Sequence, residues 1–230
     1  LRGYDDRAVE RSTVDAIIQA AMRAPTAGNL MLYSILEIED DGIKEKLAVS
    51  CDNQPFIARA PLVLIFLADY ERWMDVFAAS GVPALCEERG ASMRRPGEGD
   101  LMLACCDALI AAQTAVIAAE SLGLGSCYIG DIMERHAYHQ ELLDLPRYTF
   151  PISMVCFGYT RPDGPERPLT SRFPQACIHF KDGYRRLEDE DLLEMVKSRK
   201  RGPFTEGAAN VGQQVYVRKF SSDYAREMTR

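Results

Sequence analysis

Apolar residues recur at helical spacing near the start of the chain. Val14, Ile17, Ile18, Ala21 and Met22 share one helix face, and Ser12 with Asp15 has the spacing of a capping pair. Pro25 ends that helix, because proline lacks an N–H and restricts the residue before it. The period then changes. Leu32 to Ile38 is a short, strand-forming apolar run, Ile43 to Val49 returns to helical spacing, and Pro61-Leu62-Val63-Leu64-Ile65-Phe66-Leu67 reads as a fully buried strand. From Asp69 to Phe77 a helical face carries Tyr70, Trp73 and Phe77, a spacing that suits ordinary packing. Residues 80–100 mix Gly, Pro and both charges, and read as a loop or an excursion over a site.

Asp100 is placed to cap a long apolar helix that runs to Leu122, where Gly123 ends it. Its run from Leu101 to Ala119 has the length of a membrane span. Asp107, Gln113 and the flanking Glu120 favour instead a helix inside a soluble protein. Gly125 to Asp131 reads as a loop, Glu134 to Leu143 as a polar helix and Ile152 to Phe157 as a strand. An acidic helix around Leu192 to Val196 follows Glu188-Asp189-Glu190-Asp191. The tail beyond Val215 has apolar residues but no core of its own, which invites docking on a partner subunit.

A chain of 230 residues can build one substantial core, and nothing in it resembles a linker or a repeat. The net charge of -7 argues against a nucleic-acid binder. Arg199-Lys200-Arg201 is the densest basic run and fits a solvated helix end. Seven cysteines form no C-x-x-C pair and read as reduced thiols of a cytoplasmic protein. His136 and His139 read as a solvated pair on a polar helix face, so no metal site is expected. No secretory leader is visible. The chain also lacks a Ser-His-Asp arrangement, an H-E-x-x-H pair and a phosphate-cradling G-x-x-x-x-G-K, and Gly123 with Gly125 lacks the third glycine of a dinucleotide fingerprint. No side chain is therefore assigned as an essential acid, base or nucleophile.

The most distinctive stretch is Ala24-Pro25-Thr26-Ala27-Gly28-Asn29, a corner of small and amide-bearing residues between a helix and a strand. Gly28 and Asn29 tolerate left-handed backbone angles there. The same chain carries Leu1-Arg2-Gly3-Tyr4, Cys51-Asp52-Asn53-Gln54, the run from Leu122 to Asp131, Phe157-Gly158-Tyr159, and Arg218-Lys219-Phe220 with Asp223-Tyr224. Their order resembles the nitroreductase family of FMN-dependent oxidoreductases, and the resemblance covers most of the chain.

That resemblance implies an α+β, nitroreductase-like fold: a central, mostly antiparallel sheet flanked by helices, a long and doubly covered central helix, and an intertwined homodimer. Residues 1–230 would form a single domain, with an excursion at 69–100 and a C-terminal arm at 203–230 docking on the partner. FMN is the implied cofactor and NAD(P)H the electron donor. Nitroaromatics, quinones or related electron-poor small molecules would be reduced by a ping-pong mechanism; the alternative is a flavin-binding carrier or sensor without turnover. By the same resemblance Arg2 addresses the flavin ring or ribityl region, and Tyr128, Ile129, Gly130 and Asp131 form the loop beside the ring. Pro25, Thr26, Ala27 and Asn29 reach the flavin from the opposite subunit. Gln54 either contacts the pyrimidine edge or stabilises its own loop, and Arg167 or Arg172 holds the phosphate. A reduced flavin carries negative charge near N1 and O2, which is why a cation and an oriented backbone N–H suit such a site.

Overall fold

The computed structural model describes residues 1–161, 169–197, 203–205 and 207–227. They belong to two compact units, Leu1–Gly164 and Pro165–Arg230. The first unit is built on a four-stranded antiparallel sheet of β1 (Tyr33–Glu37), β2 (Leu62–Asp69), β3 (Leu124–Ile129) and β4 (Thr149–Tyr159), in the order β1-β2-β4-β3. β2 is an inner strand, and all eight of its residues are buried. Successive strand side chains point to opposite faces, so a continuous apolar run serves two cores. Leu62, Leu64 and Phe66 pack with Val14, Ile17, Ala111 and Phe157; Val63, Ile65 and Leu67 pack with Leu47, Ile57, Met154 and Cys156.

The first of those cores is covered by α1 (Arg11–Met22) and the 24-residue α5 (Glu98–Ser121). The second is covered by α2 (Asp41–Ser50) and the N-terminal segment. α2 is capped by Asp40, whose carboxylate accepts the Ile43 N–H at 2.8 Å. α1 starts differently from the capping pair read in the sequence. Glu10 occupies the cap position without a side-chain bond, and Asp15 pairs with Arg11 at 2.7 Å. Asp100 lies one turn inside α5 and accepts the N–H of Gly97, the residue in the cap position, at 2.9 Å.

Three expectations need correction. Residues 124–129 form a strand rather than a loop. β4 supplies the backbone partners for Gly125 and Ser126, two residues with little strand preference of their own. Residues 80–100 are not simply a loop, because α4 (Val82–Glu88) follows α3 (Glu71–Ala79) within them. His136 and His139, both in α6 (His136–Leu142), are not a solvated pair. His139 is fully buried, and His136 stacks on Phe150 with ring centroids 4.8 Å apart. Among the described residues no group of His, Cys, Asp and Glu could hold a metal ion.

α5 presents two different faces. Ala104, Asp107, Ala108, Ala111, Ala112, Ala115 and Ala119 are buried against the sheet and α1. Met102, Leu109, Ile110 and Ile117 lie exposed on the other side. Within one chain the helix is thus covered on one face only, where double coverage was expected. Among the described residues it is the one helix long and apolar enough to cross a membrane.

The second unit holds α7 (Asp189–Lys197), α8 (Val211–Val215), a π-helical turn (Tyr216–Phe220) and α9 (Asp223–Glu227). Tyr216, Val217 and Phe220 are exposed on it. Arg167 and the basic run Arg199-Lys200-Arg201 lie outside the described residues.

Candidate functional site

The N-terminal segment is fixed from both sides. The Leu1 amine donates to the Ser126 carbonyl at 2.7 Å, and Tyr4 bridges to Thr160 beyond the end of β4. Tyr4 is buried, and its hydroxyl reaches the carbonyls of Leu1 and Cys156 at 3.2 and 3.3 Å. Burial pushes that hydroxyl far above its ordinary pKa, so it stays protonated and donating. Arg2 is held between these anchors. Its guanidinium lies over the Phe56 ring, 5.4 Å from the centroid, and it forms no ion pair among the described residues.

Gln54 sits on the turn after α2, where Asp52 and Asn53 both take left-handed angles. The amide nitrogen of its side chain donates to the Cys51 carbonyl and to an Asp131 carboxylate oxygen, each at 2.9 Å. Both partners are pure acceptors, which settles the orientation of the amide. The two N–H groups are thereby committed, and Oε1 is the atom left for another partner. Gln54 does stabilise its loop, with its NH2 group; the same bonds aim its oxygen.

Asp131 opens a single 3-10 turn, Asp131–Met133, directly after β3. Ile129 is 1% exposed, so its side chain belongs to the core and its backbone alone faces the turn. Tyr128 projects the other way, is exposed, and its hydroxyl donates to the Gln113 side chain at 3.3 Å. Gly130 has φ -80 and ψ -22, ordinary helical angles, so its backbone conformation does not require glycine; what it offers is a missing side chain.

A second tie holds this turn to α2, one with no local signal in the sequence. His139 Nδ1 meets the Ile132 carbonyl at 2.8 Å, and Nε2 meets the Ser50 hydroxyl at 2.8 Å. Burial lowers the pKa of His139, ahead of smaller effects from its neighbours. The ring is then neutral, with Nδ1–H donating to the carbonyl and Nε2 accepting from Ser50.

The corner folds as a single turn, Ala27–Asn29, and goes elsewhere. The Ala27 N–H and the Leu32 N–H both donate to Asp107 on α5, at 3.0 and 3.1 Å. The Trp73 indole N–H donates to the Leu30 carbonyl at 2.8 Å, a role beyond the packing expected of it. Among the described residues, no hydrogen bond or ring contact joins Pro25, Thr26, Ala27 or Asn29 to Arg2, Gln54 or Asp131. One chain therefore joins Gln54 to Asp131 and sets Arg2 over Phe56, two residues beyond Gln54, while Tyr128 points away to Gln113 and the corner is tied to α5 instead.

Arg172 belongs to the second unit. There it lines a cavity of about 420 Å³ with Thr170, Ser171, Gln214, Arg218 and Lys219. Its guanidinium donates to the Thr170 hydroxyl. Three cations and two hydroxyl groups around one cavity suit an anion such as a phosphate.

A sequence profile described as the Nitroreductase family matches residues 1–159. The chain belongs to the nitroreductase family. Within it, the chain is 30% identical to an FMN reductase [NAD(P)H] of Bacillus subtilis (strain 168), over 99% of this chain and 91% of that protein. It is 31% identical to an oxygen-insensitive NADPH nitroreductase of Salmonella typhimurium, over 84% of this chain and 73% of that protein. Its fold superposes on that of B. megaterium NfrA2 with a TM-score of 0.77 at 30% identity, covering 100% of this chain and 92% of the other. The sheet and the long α5 are thus those of a nitroreductase.

Proposed function

We propose that this nitroreductase-family chain is an FMN-dependent NAD(P)H oxidoreductase that reduces electron-poor acceptors such as nitroaromatics and quinones. The observation that carries the reading is the bond from Gln54 to Asp131, which joins the turn after α2 to the turn after β3, with Arg2 over the Phe56 ring two residues beyond Gln54. A guanidinium with no ion pair among the described residues, an amide oxygen with its NH2 already committed, and a glycine-bearing turn suit the donors and acceptors along a flavin edge. The names of the B. subtilis and S. typhimurium relatives support the same cofactor and electron donor.

FMN, when bound, supplies two-electron redox chemistry that no side chain here provides. The chain's own residues bind and orient. Arg2 offers positive charge to the ring or ribityl region, the Gln54 oxygen accepts an N–H of the pyrimidine edge, and the Gly130 turn leaves the main chain unshielded. Arg172 or Arg167 holds the phosphate. The working form is a homodimer built on the exposed apolar stripe of α5, with Pro25, Thr26, Ala27 and Asn29 serving the partner's flavin. The arm at 203–230 docks on that partner, and residues 69–100 form an excursion from a single domain. Donor and acceptor use one pocket in turn, which makes the kinetics ping-pong.

Purified protein should be yellow, and NAD(P)H should bleach its visible band anaerobically. Double-reciprocal plots with a quinone acceptor should be parallel. Arg172→Ala should lose FMN on gel filtration where the unaltered protein retains it. Protein that stays colourless after FMN addition would refute the proposal, whereas bound FMN that neither nicotinamide reduces would make the chain a flavin carrier or sensor.

A further inference from the structure

The corner is strained, and a single buried carboxylate spans the strain. Gly28, Asn29 and Met31 have φ values of +57, +58 and +50, so two non-glycine residues and one glycine occupy the left-handed region within four positions. L-residues avoid that region, and such a cluster persists only where its surroundings over-determine it. Weak bonds hold Met31, whose N–H donates to the Thr26 hydroxyl and whose carbonyl accepts from Arg72, each at 3.4 Å, but one residue brackets the whole stretch. Asp107 Oδ1 accepts the Ala27 N–H just before the strained residues, and Oδ2 accepts the Leu32 N–H just after them. The Trp73 indole holds the Leu30 carbonyl between.

The cost of this device is visible in α5. Asp107 is 2% exposed and lies among Ala104, Ala108 and Ala111 on the stripe that meets the core. A buried carboxylate is expensive unless fully hydrogen-bonded, and no cation pairs with it among the described residues. Stability alone gives no reason for the arrangement: a relaxed turn between α1 and β1 would need neither the left-handed angles nor the acid. Both costs serve one outcome, a fixed direction for Thr26–Asn29.

We infer that Asp107 is a positioning residue. From its place on helix α5 it accepts the Ala27 and Leu32 amides, and so presets the corner in the shape that meets the flavin before any flavin arrives. The inference rests on the proposed contact between the corner and FMN. It makes Asp107 a determinant of cofactor affinity without itself touching the cofactor.

Hydrogen exchange on the flavin-free dimer is the first test, and it needs no variant. The Ala27 and Leu32 amides should already be protected, with little change when FMN is added. Exchange at the rate of open amides until FMN binds would overturn the inference, because the corner would then be shaped by its ligand. The second test is FMN affinity, measured by flavin fluorescence quenching where each protein is fully folded. Asp107→Asn keeps the size but cannot accept from both amides, so its Kd should rise about tenfold or more. In that background Met31→Gly, which removes one left-handed side chain, should recover part of the loss. A lower melting temperature with unchanged Kd would make Asp107 merely structural. Asn29→Ala separates the two ideas: if it weakens FMN binding while Asp107→Asn does not, the corner contact stands and the positioning role falls. If neither variant moves Kd, both fall.

Discussion

His139 offers the sharpest test of how the site is braced. Its ring is fully buried and joins the Ile132 carbonyl to the Ser50 hydroxyl, so it ties the turn after Gly130 to the end of α2. His139→Ala would leave a cavity, take this partner from the Ile132 carbonyl and leave the Ser50 hydroxyl only its 3.3 Å bond to the Leu47 carbonyl. Lost packing and lost hydrogen bonds together should cost about 3–5 kcal/mol. The sign of the pH effect follows from burial, which lowers the folded pKa below the ordinary value of 6.5. The carbonyls of Ile132 and Glu134 oppose the shift, while the neighbouring Arg135 and His136 add to it. The unfolded chain therefore takes up the proton first as pH falls. Stability attributable to His139 is complete above 6.5, and below it is lost until the folded pKa is reached, by at most about 1.4 kcal/mol per pH unit. Urea unfolding between about pH 5 and pH 8 would show this as a falling midpoint on the acid side. His139→Gln, which keeps hydrogen-bonding capacity without titrating, should flatten that part of the curve. Identical acid-side slopes in the two proteins would refute the buried neutral histidine, and so would a cost below about 1 kcal/mol for His139→Ala.

Two further outcomes are expected. Ile110→Glu places a charge on the exposed stripe of α5 and should shift sedimentation from dimer to monomer, weakening association by about 2–4 kcal/mol. An unchanged dimer would remove that stripe from the interface. Gly158→Ala would bring a methyl group within 2.6 Å of Tyr4 Cδ1 and 2.9 Å of Pro61 Cδ, so it should cost about 1–3 kcal/mol by thermal melting. Because Tyr4 anchors the segment that carries Arg2, FMN affinity should fall with it; a fully stable variant would show that Tyr4 yields freely.

Much of the fold was legible because its signals are local. The run at 61–67 announced a strand buried on both faces, and β2 is an inner strand whose alternate residues feed two cores. β3 was not legible, since Gly125 and Ser126 are poor strand formers and their partner β4 lies some thirty residues on. The site divided in the same way. Small residues at 25–29 and the amide at 54 stood out from their neighbours. Asp107 and His139 did not: the amides that Asp107 accepts are 75 and 80 positions away, and the hydroxyl that His139 meets besides the nearby Ile132 carbonyl is 89 away. His139 was misread for a related reason: Tyr138, Gln140 and Glu141 surround it with polar character, and nothing local marks the one residue that turns inward.

The two faces of α5 turn this distinction into mechanism. A helix that is apolar on every side is covered on every side, and one chain covers only half of this one. The covered half carries Asp107, which holds the corner; the open half carries Met102, Leu109, Ile110 and Ile117. Gln54 bonds Asp131 and Arg2 lies over Phe56, and among the described residues no bond ties them to the corner of the same chain. A second copy seated on the open half would both bury those side chains and supply the absent corner, so association and flavin binding would be linked equilibria. By mass action, each must then strengthen the other. A strained corner makes sense under that linkage. Held in advance by Asp107, it adds no ordering cost at the moment when two chains and a cofactor come together.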